Sequence, residues 1–155
     1  MFSINSEEDT KRLAHAVASH LNSTDCLTLT GTLGAGKTTF MRHLLKALGH
    51  KGQVVSPTFM LVQDYAITLA NGHSGKLNHI DAYRLEDSSE AEELGLGDML
   101  ADSIVCIEWP EIIADWLPSD ALHLTINLDN NQREASLTSQ LRQEIIQKIH
   151  REFHG

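Results

Sequence analysis

The stretch CLTLTGTLGAGKTTFMRHLLKALG, residues 26–49, decides how the rest of the chain is read. Its first five residues, Cys26 to Thr30, alternate and include β-branched side chains, so they are expected to form a strand. The chain from about Lys37 to Leu48 reads as a helix, with Gly49 where a C-terminal cap belongs. Between the two, Gly31-Thr32-Leu33-Gly34-Ala35-Gly36-Lys37-Thr38 fits the pattern G-x-x-x-x-G-K-[ST] without a mismatch. Glycines let the backbone turn so that successive N–H groups point inward and cradle phosphates. A helix starting near Lys37 adds the positive end of its dipole. Lys37 then sets a point charge against the β- and γ-phosphates, and the Thr38 hydroxyl is suited to ligate Mg²⁺. A chain of this length would match the pattern by chance roughly once in two hundred. The strand-then-helix context makes an ordinary glycine turn the poorer explanation.

Outward from that loop, residues 6–21 set Leu13, Val17 and Leu21 at helical period, and Ser6 with Asp9 resembles a capping box with a shortened acid. Ser56-Pro57 breaks the chain, after which residues 58–69 read as a long strand. Turn signals at Asn71-Gly72 and Ser74-Gly75 lead into a returning strand over 76–85, together an antiparallel hairpin. Residues 87–101 read as one or two short helices around Gly95 and Gly97. Ile104-Val105-Cys106-Ile107 is a continuous apolar run, as expected of a strand buried on both faces, and Trp109-Pro110 ends it. Residues 121–128 and 133–138 alternate as strands, and a helix follows from Ser139. The expected architecture is α/β: a single-domain P-loop NTPase over residues 1–155, its central sheet mixed and partly parallel, with helices flanking it.

Composition narrows the function classes. One domain of 155 residues buries roughly 68–70% of its unfolded surface. Apolar residues make up 41% of the chain, and no stretch approaches the ~18 uninterrupted apolar residues of a membrane helix. The start, MFSINSEEDTKR, lacks the order of a secretory signal, so a cytoplasmic protein without membrane contact is expected. With 12 basic against 21 acidic residues the net charge is −9, which argues against unaided tight binding to RNA or DNA, although a local basic patch is compatible with it. Cys26 and Cys106 sit in apolar runs without C-x-x-C spacing and read as small buried hydrophobes. Of nine histidines only His150 and His154 stand at i, i+4, on the terminal helix, far short of a four-ligand zinc site.

A phosphate loop also needs an acid at the end of a neighbouring buried strand to hold the magnesium shell. Glu108, closing the apolar run, is the favoured metal-shell ligand together with Thr38. Asp81, after His79-Ile80, serves either the metal or water positioning. Thr58 offers a hydroxyl towards the γ-phosphate. No N-K-x-D element for guanine is present, which favours adenine, and so ATP, or a promiscuous base site. The basic residues after the loop are few: Arg42, Lys46, Lys51, Lys76 and Arg84. An arginine finger accelerates hydrolysis ~10³–10⁵-fold, so a site without one is expected to be slow until a partner acts.

These residues, met in order, resemble the TsaE (YjeE-type) family: GTLGAGKTT at 31–39, SPTF at 56–59, L-V-x-x-Y at 61–65, HIDAYRL at 79–85, EELGL at 92–96 and IEWPE at 107–111. Phe59 and Met60 stand where Tyr and Thr are more usual, and Ala82 where a larger apolar residue is common. The resemblance implies an ATPase needed for N6-threonylcarbamoyladenosine at position 37 of tRNA. Such a protein acts with the TsaB–TsaD pair and meets tRNA only through that complex. It further implies nucleotide binding by Leu33, Gly34, Ala35, Gly36, Lys37, Thr38 and Thr39, with catalytic roles for Lys37, Thr58, Asp81 and Glu108. Trp109 matches a tryptophan beside the site, although by itself it would read as core packing, and Glu7 to Thr10 match a segment that approaches the adenine. Two other readings of the same loop are a small-molecule P-loop kinase and a nucleotide-gated binding module. No lid or acceptor pocket is recognisable for the kinase.

Overall fold

The computed structural model describes residues 1–54 and 61–155. Among these described residues seven strands form one sheet: β1 Phe2–Ile4, β2 Cys26–Thr30, β3 Val62–Thr68, β4 Ser74–Asp81, β5 Ile104–Glu108, β6 Leu122–Asp129 and β7 Gln132–Thr138. Five α-helices accompany them: α1 Glu7–Ala18, α2 Lys37–Ala47, α3 Glu90–Leu94, α4 Leu96–Asp102 and α5 Gln143–His154. The strand order is β1-β7-β6-β2-β5-β4-β3. The four central strands, β6, β2, β5 and β4, pair in parallel, and antiparallel pairs close both sides. The mixed, partly parallel sheet expected from the sequence is therefore present.

Strand β5 shows why the centre is parallel and buried. All five of its residues are buried. Ile104 and Cys106 face the layer that holds the apolar sides of α1, α2 and α5, among them Leu13, Val17, Phe40, Leu44 and Ile149. Val105 and Ile107 face the opposite layer, with Ala91, Leu96 and Ile113. A period of two therefore delivers one residue to each layer in turn. Cys26 and Cys106 are both buried free thiols, as their apolar surroundings suggest.

The local expectations are met closely in the first half of the chain. Ser6 caps α1, its Oγ accepting the Asp9 N–H at 3.2 Å, while the Asp9 carboxylate accepts the Asn5 N–H at 2.9 Å. Strand β2 and helix α2 lie where the loop places them, and Gly49 follows α2 with φ +80°. Three boundaries differ. The strand expected over 58–69 is described from Val62 to Thr68, and its start at 58–60 lies outside the described residues. The returning strand does not run to residue 85 but ends at Asp81, where the Tyr83 N–H donates to Asp81 Oδ1 at 3.0 Å and turns Ala82–Arg84 into a 3₁₀ turn. Helix α5 begins at Gln143 rather than Ser139, and its end is docked: Phe153 packs edge-on against Phe2, with ring centroids 5.0 Å apart. Strand β1 was not expected at all, since three residues carry too little periodicity. It exists because Phe2, Ser3 and Ile4 pair with Ala135, Glu134 and Arg133.

Candidate functional site

The loop leaves the carboxyl end of β2 and enters α2 with Gly36 at φ +109° as the residue before the first turn. Gly36 offers no side-chain cap, so the first N–H groups of α2 are free to meet a ligand. Ala35 turns its methyl into the core, whereas Leu33 is exposed at the loop tip. Thr32 Oγ1 accepts the Leu128 N–H at 3.1 Å, tying the loop to β6. Lys37, only 9% exposed, donates from Nζ to the Gly31 carbonyl at 3.0 Å. The same ammonium sits 4.8 Å from the centre of the Trp109 ring, a cation–π contact.

Both acids arrive from neighbouring strands. In the parallel register Glu108 of β5 stands beside Leu29 of β2 on one side and Asp81 of β4 on the other. The two carboxylates thus flank the loop at the carboxyl edge of the sheet, where open α/β sheets take their ligands. Glu108 is 7% exposed, and its Oε2 lies 3.0 Å from Nε2 of the buried His79. That hydrogen bond aims the carboxylate and compensates its burial. Immediately after it Trp109 takes φ +56° and ψ +56°, a left-handed conformation rare for a bulky residue. The strain turns its ring out over Lys37 and towards Tyr83, whose centroid is 5.3 Å away. Trp109 is thus 39% exposed at the site rather than packed in the core.

A cleft of about 370 Å³ gathers Leu33, Gly34, Gly36, Lys37, Thr38, Thr39, Asp81, Glu108 and Trp109. Of the residues singled out from sequence, Ala35 contributes backbone and core packing, and Thr58 lies outside the described residues. Glu7, expected near the base, lines a groove of about 680 Å³ beside α2, with Oε1 3.0 Å from His43 Nε2 and 3.8 Å from Arg42. That groove is larger, but it contains neither the glycine loop nor paired acids, so chemistry rather than size selects the cleft. Two neighbours escaped the sequence reading. His79 was passed over as one histidine among nine, although it stands two residues before Asp81 in an alternating strand. Arg133, on β7, packs beside Gly36 and has no sequence signal that points there.

A glycine loop carried from a central parallel strand into a helix, with an acid at the end of the next strand, defines a P-loop nucleotide-binding fold. The family model of TsaE, described as threonylcarbamoyl adenosine biosynthesis protein TsaE, matches residues 4–136. The chain is 39% identical over 139 residues to the tRNA threonylcarbamoyladenosine biosynthesis protein TsaE of Rickettsia conorii, covering 88% of this chain and 77% of that one. It is 40% identical over 136 residues to the Aquifex aeolicus protein of the same name, covering 86% and 92%. The Bacillus subtilis protein of that name is 38% identical over 134 residues, covering 85% and 80%. In structure the chain is similar to the crystal structure of Bacillus subtilis YdiB, with a TM-score of 0.76, 27% identity and coverage of 97% and 93%. This protein belongs to the TsaE family, which serves threonylcarbamoyladenosine biosynthesis on tRNA. No helix among the described residues is long and apolar enough to cross a membrane.

Proposed function

We propose that this protein is a magnesium-dependent ATPase of low intrinsic rate that acts with the TsaB–TsaD pair in forming N6-threonylcarbamoyladenosine at position 37 of tRNA. The observation that carries the reading is the convergence of Lys37, Thr38, Asp81 and Glu108 on one cleft at the carboxyl edge of the sheet. The loop amides and Lys37 bind the β- and γ-phosphates, and the nearly buried ammonium acts at reduced dielectric. Thr39 extends the same turn of α2 towards the phosphates. The donor set is all oxygen, one hydroxyl and two carboxylates, which suits magnesium rather than a softer metal. Thr38 and Glu108 would hold the ion, and when bound it supplies neutralisation of charge on the β- and γ-oxygens. Asp81 stands one strand further out, placed to orient water or to complete the metal's shell. In this reading Thr58, outside the described residues, has the role of serving the γ-phosphate.

A net charge of −9 fits an accessory protein that meets tRNA through its partners in the cytoplasm. The test is ADP formation by the protein alone and with TsaB–TsaD. Hydrolysis is expected to rise with partner concentration, and Glu108→Ala and Asp81→Ala are each expected to lower it more than about tenfold. A rate unchanged across an excess of partner, or undiminished in both variants, overturns the assignment. Stoichiometric phosphorylation of a metabolite would replace it with a kinase.

A further inference from the structure

Acids and bases are unevenly spread along this chain. None of its 21 acidic residues falls between Asp25 and Asp64, a run that carries Lys37, Arg42, Lys46 and Lys51. Between Arg84 and Arg133 the reverse holds: there is no Lys or Arg, and Glu86, Asp87, Glu90, Glu92 and Glu93 open a long series of acids. The fold keeps the two runs apart. Helix α2 lies in one layer with α1 and α5, whereas α3 and α4 pack on the other side of the sheet through Ala91 and Leu96. Salt at about 0.1 M screens exposed charges beyond ~10 Å, and the two helical layers, with the sheet between them, stand further apart than that. The net charge of −9 therefore does not set the potential along α2.

On the outer side of α2, Arg42, His43, Lys46, His50 and Lys51 line the groove of about 680 Å³. Arg42 and Lys46 share a helix face one turn apart, about 6 Å along the axis, and Lys51 follows just past Gly49. Among the described residues Glu7 is the one acid that lines the groove, and it is shared between His43 at 3.0 Å and Arg42 at 3.8 Å. Lys46 and Lys51 are exposed and meet no carboxylate of the described residues. Lys11, Lys76 and Lys148, by contrast, each lie against one. The turn that carries Lys51 is tightly packed. The His50 ring stands edge-on to Tyr65 with centroids 4.9 Å apart, and a Cβ on Gly52 would come within 3.0 Å of His50 Nε2. The cations are thus presented by a helix and a packed turn.

A row of cations with too few acids calls for an anion whose charges come in series. Acidic protein and nucleic acid both offer one, and the groove's lining separates them. Protein interfaces are anchored by apolar and aromatic side chains buried at their centre. The exposed Leu33, Tyr83, Trp109 and Ile112 lie in or beside the nucleotide cleft, and no exposed large apolar side chain of the described residues lines this groove. A phosphate backbone needs no such anchor, because exposed Lys and Arg hold it by releasing its counterions. The family serves a modification made on tRNA. We propose that the groove is an RNA-backbone site, in which Arg42, Lys46 and Lys51 hold successive phosphates of tRNA in a weak, salt-dependent and sequence-independent contact. The tight hold on tRNA stays with the partners, as the net charge requires.

The contact needs neither nucleotide nor partner, so its failure leaves the ATPase reading standing. Fluorescence anisotropy of a labelled, unmodified tRNA transcript would be followed with the full-length protein alone, from about 50 to 200 mM salt. The parent is compared with Lys46→Glu/Lys51→Glu and with Lys76→Glu/Lys148→Glu, two double variants of equal net charge. At about 50 mM salt the parent is expected to bind with a Kd on the order of 10⁻⁵ M. The groove variant is expected to bind about tenfold or more weakly and to flatten the slope of log K against log salt by about 2, one for each lysine. The control is expected to stay within about threefold of the parent. Should the groove variant lack the circular dichroism of the parent, Arg42→Gln takes its place, with an expected flattening of about 1. Poly-glutamate is the probe for an acidic protein partner. A parent that leaves tRNA unbound at the lowest salt, or an equal loss in the two double variants, overturns the proposal. Poly-glutamate bound as tightly as tRNA also overturns it, and would make the groove a site for acidic protein.

Discussion

Two glycines of one loop are expected to respond very differently to the same added methyl group. Gly31 has φ +135°, and a Cβ there would lie 1.8 Å from the carbonyl oxygen of Ile126, 2.7 Å from its carbon and 3.1 Å from its nitrogen. Those atoms are main chain within β6, held between β2 and β7, so neither side can yield cheaply. The backbone strain alone costs about 1–3 kcal/mol, and forcing strand and loop apart adds a similar amount. Gly31→Ala is therefore expected to lose about 2–6 kcal/mol, a large share of the ~5–15 kcal/mol that holds a typical domain together. Gly34 has φ +76° and nothing within 4 Å of a built Cβ, so Gly34→Ala should lose only about 1–2 kcal/mol of backbone strain. Urea denaturation of both variants, fitted with a common slope, measures the difference. Gly31→Ala should also bind pyrophosphate more weakly, because the Gly31 carbonyl that accepts Lys37 Nζ moves with it. Two variants of equal stability would refute the claim that β6 is pressed against the loop.

Burial, reinforced by Asp120 and Asp25, pushes the Cys26 thiol from its ordinary 9.0 up to about 12. The folded state therefore favours the neutral thiol: its contribution is fully present below pH 9.0 and is lost as pH rises from there towards 12. Unfolding free energy measured across that window should fall less steeply in Cys26→Ala, and identical slopes would sink the argument. His79→Ala removes the hydrogen bond that Glu108 receives from His79 and empties a buried ring volume; a stability loss of about 2–4 kcal/mol is expected. ATP hydrolysis should fall about 10–100-fold in that variant, with recovery in His79→Gln, whose amide still donates. Hydrolysis at the parent rate in His79→Ala would show that this hydrogen bond does not aim the carboxylate.

Much of this protein is written locally. The turn chemistry of residues 31–38, the alternation of Cys26–Thr30 and the apolar run closed by Glu108 each depend on neighbours a few positions away. Dihedral preference and the periodicities of strand and helix make such features legible without any partner. For that reason the loop, α2, β5 and the delivery of Glu108 to a sheet edge were all readable beforehand. The returning strand was read too long because a side chain, Asp81, and not a glycine or proline, ends it. Strand order was a different matter. It set Asp81 and Glu108 side by side, brought His79 onto Glu108 across two strands, and laid Arg133 of β7 along Gly36. It also made a strand of Phe2–Ile4, whose three residues are extended because β7 offers them a ladder. None of these pairings leaves a spacing in the chain, since each exists only once distant segments lie in one sheet and share its edge.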